Sequence, residues 1–333
     1  MTDRPTALFA MAPENLPRLF PPRLIDRLSG LVDVDRRLVL RDFDRPEAAA
    51  ALARAEILLT GWGCPPIDQR VLDAAPRLRA VLHAAGTVRQ LICEPCWERG
   101  LLVSSAAAAN AIPVAEYTLA AILLAGKNAF SFRQAAHRER PDPRADPTPG
   151  NYRRRVGVIG ASRVGRRLLE LLRPLDLVVS LADPYLEPAD AAQLGATLLP
   201  LDELLRGSDI VSLHAPDLPQ TYRMLDRRRL ALIPDGATLI NTSRGALIDP
   251  EALTDELVSG RLSAVLDVTE PEPLPVDSPL HLLPNVFLTP HIAGSLGNEL
   301  ERLGSAVVAE VERLVDGRPL AHRVLRSDLG RVA

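Results

Sequence analysis

The chain is 333 residues long, 47% hydrophobic and 24% charged, enough apolar content for two α/β domains with sizeable cores. A formal net charge of -3 argues against the basic surface that nucleic acids or anionic membranes need, and three cysteines are too few for a disulfide framework. The first five residues lack the charged and apolar regions of a signal peptide, so a soluble cytoplasmic protein with no nucleic-acid or membrane partner is expected.

The first hundred residues alternate between short apolar runs and helical patterns. Strands are expected over 7–11, 37–40, 56–60 and 79–83, with helices over 22–31 and 47–55. Such alternation implies a parallel sheet, and open parallel sheets bind ligands beyond the carboxyl ends of their strands. Two turns qualify as substrate contacts: Gly61-Trp62-Gly63-Cys64 and Ala84-Ala85-Gly86-Thr87. Cys93 and Cys96 have metal-like spacing but no second pair, so they read as structural and no metal is expected. After a strand over 101–104, a small-residue tract over 106–111 leads to an Ala/Leu helix that should open near Val114 and run to about Arg138. Its most apolar part, 113–126, is short for a bilayer and contains Glu116. Residues 140–150 are crowded with Pro and Asp and read as a loop.

The next unit organises the rest. A β-branched run over 156–159 precedes Gly160-Ala161-Ser162-Arg163-Val164-Gly165, and leucines 168, 169, 171 and 172 then recur at helical spacing. This is the strand, glycine turn and helix of a dinucleotide fingerprint, with Ser162 replacing the middle glycine. The serine either crowds a pyrophosphate or donates a hydroxyl hydrogen bond to it. A second strand over 177–181 ends near Asp183, about 20 residues beyond the turn, where a ribose hydroxyl needs an acceptor.

Further on, helices are expected over 201–206, 224–231 and 250–259, the last with Asp249 as N-cap. Strands over 210–213, 238–240, 264–268 and 286–288 run into His214, into Thr242-Ser243-Arg244, into Glu272 and into His291-Ile292-Ala293-Gly294. Arg244, Glu272 and His291 therefore fall just past strand ends of one sheet. A guanidinium can fork a carboxylate and polarise the adjacent carbonyl. An imidazole can donate a proton as that carbonyl becomes an alcohol, and a paired carboxylate fixes its tautomer and keeps it charged. His214 stands at another strand end and is a candidate for the nicotinamide side, whereas His83, His137, His281 and His322 read as structural.

Taken in order, these pieces resemble the D-isomer-specific 2-hydroxyacid dehydrogenase family. The matching stretches are Gly160 to Gly165, Asp183, His214-Ala215-Pro216, Ile240 to Gly245, Leu266 to Pro273 and Thr289 to Gly294, with Ala109-Asn110 and Val114 to Thr118 also matching. The resemblance implies two doubly wound parallel-sheet α/β domains with a cleft between them. One is a Rossmann-type NAD domain over 106–295; the other is a discontinuous flavodoxin-like substrate domain joining 1–105 with 296–333. It further implies NAD as cofactor, a small 2-oxo or 2-hydroxy acid as substrate, and a homodimer. Arg244 would bind substrate, with Glu272 and His291 as the acid/base pair. The glycine turn with Ser162, Arg163 and Val164, together with Asp183, His214, Thr242, Ser243, Asp267 and Gly294, would contact the cofactor. Trp62, Gly63, Ala85 and Gly86 would join Arg244 around the substrate.

The segment Thr87-Val88-Arg89-Gln90-Leu91 lacks the acidic and aromatic residues many relatives place there, so that loop does not identify the substrate. Formate dehydrogenases of this fold carry glutamine where Glu272 stands, which argues against that activity. Two other classes stay open: an NAD(H)-sensing binding protein, like the corepressors that share the fold, and an assembly protein with a degenerate site.

Overall fold

The computed structural model describes residues 4–132 and 150–330, and the chain divides into two compact units, residues 1–110 with 295–333 and residues 111–294. The last part of the expected helix, residues 133–138, with His137 in it, and the loop over 140–149 lie outside the described residues.

The first unit carries a five-stranded parallel sheet. Its strands are β1 (Thr6–Ala10), β2 (Asp33–Leu40), β3 (Ile57–Thr60), β4 (Ala80–His83) and β5 (Leu102–Ser105), in the order β2-β1-β3-β4-β5. That is the flavodoxin-like order. β3 and β4 are buried at every position, which is why they read as continuous apolar runs rather than alternating ones. The period of two is nonetheless at work, because Phe9, Ile57, Leu59 and Leu82 pack on one face and Leu8, Leu58, Val81 and Val103 on the other. The first face is covered by α1 (Pro22–Leu31), which presents Leu24 and Leu28, and by a helix near the other end of the chain that presents Leu303 and Val307. The register pairs Ala10 with Thr60, Thr60 with His83 and His83 with Ser105, so the carboxyl ends form one level edge.

The second unit carries seven parallel strands: β6 (Arg155–Ile159), β7 (Val178–Ala182), β8 (Thr197–Leu198), β9 (Ile210–Leu213), β10 (Thr238–Asn241), β11 (Ser263–Leu266) and β12 (Val286–Leu288). Their order is β12-β11-β10-β9-β6-β7-β8. The chain winds outward from β6 through β7 to β8, then returns to β9 on the other flank of β6. This reversal is the switch point of a Rossmann-type sheet, where the crevice for a ligand opens. Helices α2 (Ala107–Gly126) and α3 (Arg163–Leu172) contribute Ala115, Ala121, Ile122, Leu168 and Leu169 to the core beside Val156 and Val158.

The helices differ from expectation at identifiable places. The alanine tract is the first turn of α2, not a lead-in to it, and Pro113 lies inside the helix. Alanines propagate a helix but carry no amphipathic period, so the start was invisible to a periodicity reading. α2 ends at Gly126, the chain turns through Lys127 and Asn128, the latter with a positive φ of 53°, and residues 129–132 are helical again. At 20 residues α2 is long and apolar enough to cross a membrane, unlike the shorter stretch 113–126 expected from its composition. Burial of Ala115, Thr118, Ala121 and Ile122 makes it a core helix instead. The helix expected over 224–231 shrinks to Arg227–Leu230, because Asp226 caps it by accepting from the Arg229 amide at 2.8 Å. β11 stops at Leu266 rather than at residue 268.

Candidate active site

Sharp backbone geometry builds the turn after β6. Gly160 has φ +95°, and a Cβ there would lie 2.8 Å from the Ala215 amide nitrogen; a Cβ on Gly165 would lie 2.1 Å from the Gly160 carbonyl oxygen. Both positions demand glycine. Ser162 has a local role, and its hydroxyl proton stays available to a phosphate. The serine is the N-cap of α3, its Oγ accepting from the Gly165 amide at 3.3 Å. The Arg163 and Val164 amides occupy the first helical positions, where no intrahelical carbonyl can reach them, and the half-buried Arg163 adds a positive charge to the same helix end.

Asp183 stands at the end of β7. One carboxylate oxygen accepts from the Ala161 amide at 2.7 Å and the other from the Tyr185 amide at 2.9 Å. These bonds fix the carboxylate beside the glycine turn and still leave lone pairs, since each oxygen can accept more than once. A bare turn, free amides at a helix N-terminus and an adjacent oriented carboxylate are what a diphosphate joined to a ribose requires. The residues present therefore fit a dinucleotide.

Several expected cofactor contacts are occupied within the protein. His214 is buried beneath the turn, its Nε2 2.8 Å from the Ser212 hydroxyl, and burial pushes its pKa down to about 3. It is a neutral wall, not an acid. The Thr242 hydroxyl donates to that of Thr118 at 2.9 Å, because the Thr118 hydroxyl itself donates to the Val114 carbonyl at 2.7 Å. Ser243 Oγ donates to the Leu213 carbonyl at 2.5 Å. Asp267, buried at 2% exposure, accepts from the Thr289 hydroxyl at 2.6 Å and from the Ile292 and Ala293 amides at 2.8 and 2.9 Å. Gly294 follows that turn and is half-buried. The side chains of Thr242, Ser243 and Asp267 thus shape the loops from inside.

Arg244, Glu272 and His291 emerge from β10, β11 and β12, which neighbour one another with Asn241 opposite Leu266 and Leu266 opposite Leu288. Arg244 is half-buried, and one guanidinium nitrogen donates to the Ser243 carbonyl at 2.6 Å. The Asn241 amide donates to the Arg244 carbonyl at 2.8 Å, which holds the strand end closed around the arginine. His291 Nδ1 lies 2.6 Å from Glu272 Oε1. A carboxylate can only accept, so Nδ1 carries the proton and Nε2 is left for chemistry. Both groups remain about half exposed, with side chains 48% and 42% accessible. Glu270, two residues earlier, does not compete: its Oε2 is buried and meets no partner.

The candidate substrate contacts of the first unit sit at the level edge of its sheet. Trp62 is 42% exposed and Gly63 has φ +83°, whereas Ala85 is buried. Gly86 is half-buried, with no atom within 4 Å of an added Cβ. Arg89 is committed within this unit, its guanidinium donating to the Leu329 carbonyl. Cys96 is a core thiol that donates to the Ile67 carbonyl at 3.1 Å, its pKa pushed up to about 11 by burial. No cluster of metal-ligating side chains occurs among the described residues.

Tyr117 and Thr289 were not singled out from sequence. The phenol lies 2.8 Å from the threonine hydroxyl across 172 residues of chain, a separation at which spacing carries no signal.

Residues 119–293 match the family model of the D-isomer specific 2-hydroxyacid dehydrogenase NAD binding domain. The chain is 35% identical over 276 residues to a D-3-phosphoglycerate dehydrogenase of Mycobacterium bovis, covering 82% of this chain and 52% of the relative. It is 31% identical over 250 residues to a glyoxylate reductase of Korarchaeum cryptofilum, covering 74% of this chain and 75% of the relative. Among solved structures, D-lactate dehydrogenase from Aquifex aeolicus in complex with NAD and lactic acid superposes with a TM-score of 0.71 at 26% identity, covering 94% of this chain and 96% of that one. The chain spans about half the length of the curated phosphoglycerate dehydrogenases it matches.

Proposed function

Since the chain belongs to the D-isomer-specific 2-hydroxyacid dehydrogenase family and takes NAD as its cofactor, we propose that it interconverts a small 2-oxo acid and the corresponding D-2-hydroxy acid. The observation that carries this reading is the 2.6 Å pairing of His291 with Glu272 on the strand next to the one that presents Arg244. The bound cofactor supplies or accepts the hydride. Arg244 binds the substrate carboxylate and draws charge toward the neighbouring carbonyl oxygen as it becomes an alkoxide. His291 gives its Nε2 proton to that oxygen during reduction and takes it back during oxidation, while Glu272 stabilises the imidazolium and fixes the ring. The amides at the start of α3 and the carboxylate of Asp183 bind and orient the dinucleotide.

The unit of residues 1–110 and 295–333 supplies the substrate side-chain contacts in this proposal, through Trp62, Gly63, Ala85 and Gly86. Trp62 offers an apolar face, and Arg89 is held by the Leu329 carbonyl. Loops 61–64 and 84–87 contain no Lys or Arg, so a small uncharged side chain suits them better than a phosphorylated one, because a charge without a counter-ion is costly to desolvate. Glyoxylate and hydroxypyruvate fit this description. The protein is proposed to act as a cytoplasmic homodimer.

The test is NADH oxidation with glyoxylate, hydroxypyruvate, pyruvate and a phosphorylated 2-oxo acid of similar length. Turnover well above background with the uncharged acids is expected. Tight NADH binding with no turnover on any of them would favour a sensor over an enzyme, and a higher kcat with lower KM for the phosphorylated acid would overturn the substrate class.

A further inference from the structure

His291 adopts a positive φ of 55°, a left-handed conformation that is disfavoured for a non-glycine residue. Something must hold it there. The backbone on both sides converges on Asp267: the His291 amide donates to the Asp267 carbonyl at 2.9 Å, and the Ile292 and Ala293 amides donate to its carboxylate. On the other side of His291, the Thr289 hydroxyl donates to Asp267 Oδ1 at 2.6 Å. With its proton committed to an acceptor-only group, Thr289 Oγ1 must accept from Tyr117, 2.8 Å away on α2. Burial raises the pKa of this phenol, so Tyr117 keeps the proton it donates.

We propose that Tyr117, Thr289 and Asp267 form a clamp that holds the His291 turn in its left-handed conformation and thereby keeps Nδ1 on Glu272 and Nε2 free. Tyr117 and Thr289 are positioning residues, with no contact to reacting atoms. Every bond of the clamp lies within residues 111–294, and each polar atom in it has one direction of donation, so the order of the chain is fixed: Tyr117 to Thr289 to Asp267. The inference rests on the reading of His291 as the acid/base group, but the geometry of the turn can be measured without turnover.

The experiment compares Thr289→Val, Thr289→Ser and Tyr117→Phe with the parent protein. In ¹⁵N-labelled protein without cofactor, long-range ¹H–¹⁵N correlation reads the tautomer of the neutral His291 ring. The Nδ1–H form should dominate in the parent and in Thr289→Ser. In Thr289→Val the ring should shift toward the Nε2–H form that an unrestrained imidazole prefers, with Tyr117→Phe in between. In parallel, kcat should fall about tenfold in Thr289→Val and about threefold in Tyr117→Phe, with KM for NADH unchanged within about twofold and with kcat rescued in Thr289→Ser. An unchanged tautomer in both Thr289→Val and Tyr117→Phe overturns the clamp. So does a rise in KM for NADH at constant kcat, which would place the action of Asp267 on the cofactor, and so does a Thr289→Ser as impaired as Thr289→Val, which would mean packing rather than the hydroxyl. If Thr289→Val does not fold, Tyr117→Phe carries the same readouts. A parent protein that shows the restrained tautomer but turns over no 2-oxo acid would sink the proposed activity and leave the clamp standing.

Discussion

The two parallel sheets end in different chemistry. In the five-stranded unit the strand-end residues Thr60, His83 and Ser105 are uncharged and buried, and the His83 Nδ1 lies 2.9 Å from the Thr60 hydroxyl. In the seven-stranded unit the corresponding edge carries Asp183, Arg244, Glu272 and His291, with Glu272 and His291 open to solvent. The same architecture thus yields strand ends of buried, uncharged residues in one unit and an edge that carries charged groups in the other. Fold alone does not assign the chemistry; the residues past the strand ends do.

The largest effect should come from substituting across that contrast. His291→Ala and Arg244→Ala should each lower kcat/KM by roughly 10² to 10⁴ with little change in Tm, since the His291 side chain is about half exposed and neither residue belongs to a core cluster. His83→Asn should do the reverse and lower Tm, because His83 is 6% exposed between packed strands. Equal losses of Tm from His291→Ala and His83→Asn, measured by calorimetry, would erase the distinction between the two edges.

In one respect the two units should behave alike. Burial lowers His83 to about 4 and His214 to about 3, whereas an unfolded histidine titrates near 6.5. The unfolded chain therefore binds more protons through this window, and stability falls as pH drops below about 6.5 until each folded pKa is reached. By pH 5 each histidine should have removed about 2 kcal/mol. Urea unfolding at pH 7.5 and pH 5 tests this, and His83→Gln should flatten the slope by one histidine's share; an unaltered slope would show that His83 is not the group titrating.

Smaller effects probe the cofactor end. Gly160→Ala forces a Cβ to 2.8 Å from the Ala215 backbone, a clash of the kind that costs about 1 to 3 kcal/mol. NADH affinity, read by fluorescence titration, should weaken roughly ten- to a hundredfold by the same arithmetic. Undiminished affinity would mean that the turn does not touch the cofactor. Asp183 should disfavour the 2′-phosphate of NADPH by about tenfold in kcat/KM relative to NADH, and equal efficiency with both would remove it from the ribose.

How much of this was legible in the sequence varies with the physical signal. The glycine turn was readable because sterics leave no substitute at Gly160 and Gly165, and the strand ends because buried parallel strands are short and uniformly apolar. The start of α2 was not, for alanines have propensity without periodicity. Nor were the internal roles of Asp267, Thr242 and Ser243. Their partners lie 22 to 124 residues away and are mostly hydroxyls and backbone groups, which no spacing rule records. Sequence marks where a polar residue leaves a strand; only packing decides whether it faces a ligand or its own loop.

The helix Leu300–Val315 supplies Leu303, Val307, Val308 and Val311 to the core that Phe9 and Leu28 begin. During synthesis on the ribosome, the first unit has its sheet long before it has this helix, because all of residues 111–294 emerge in between. The seven-stranded unit can complete its core while the earlier one still exposes an apolar face. A nascent chain halted near residue 295 should accordingly bind chaperones through its first hundred residues and not through its nucleotide-binding half. The division into two units becomes an order of events in time, with the part made first finishing last.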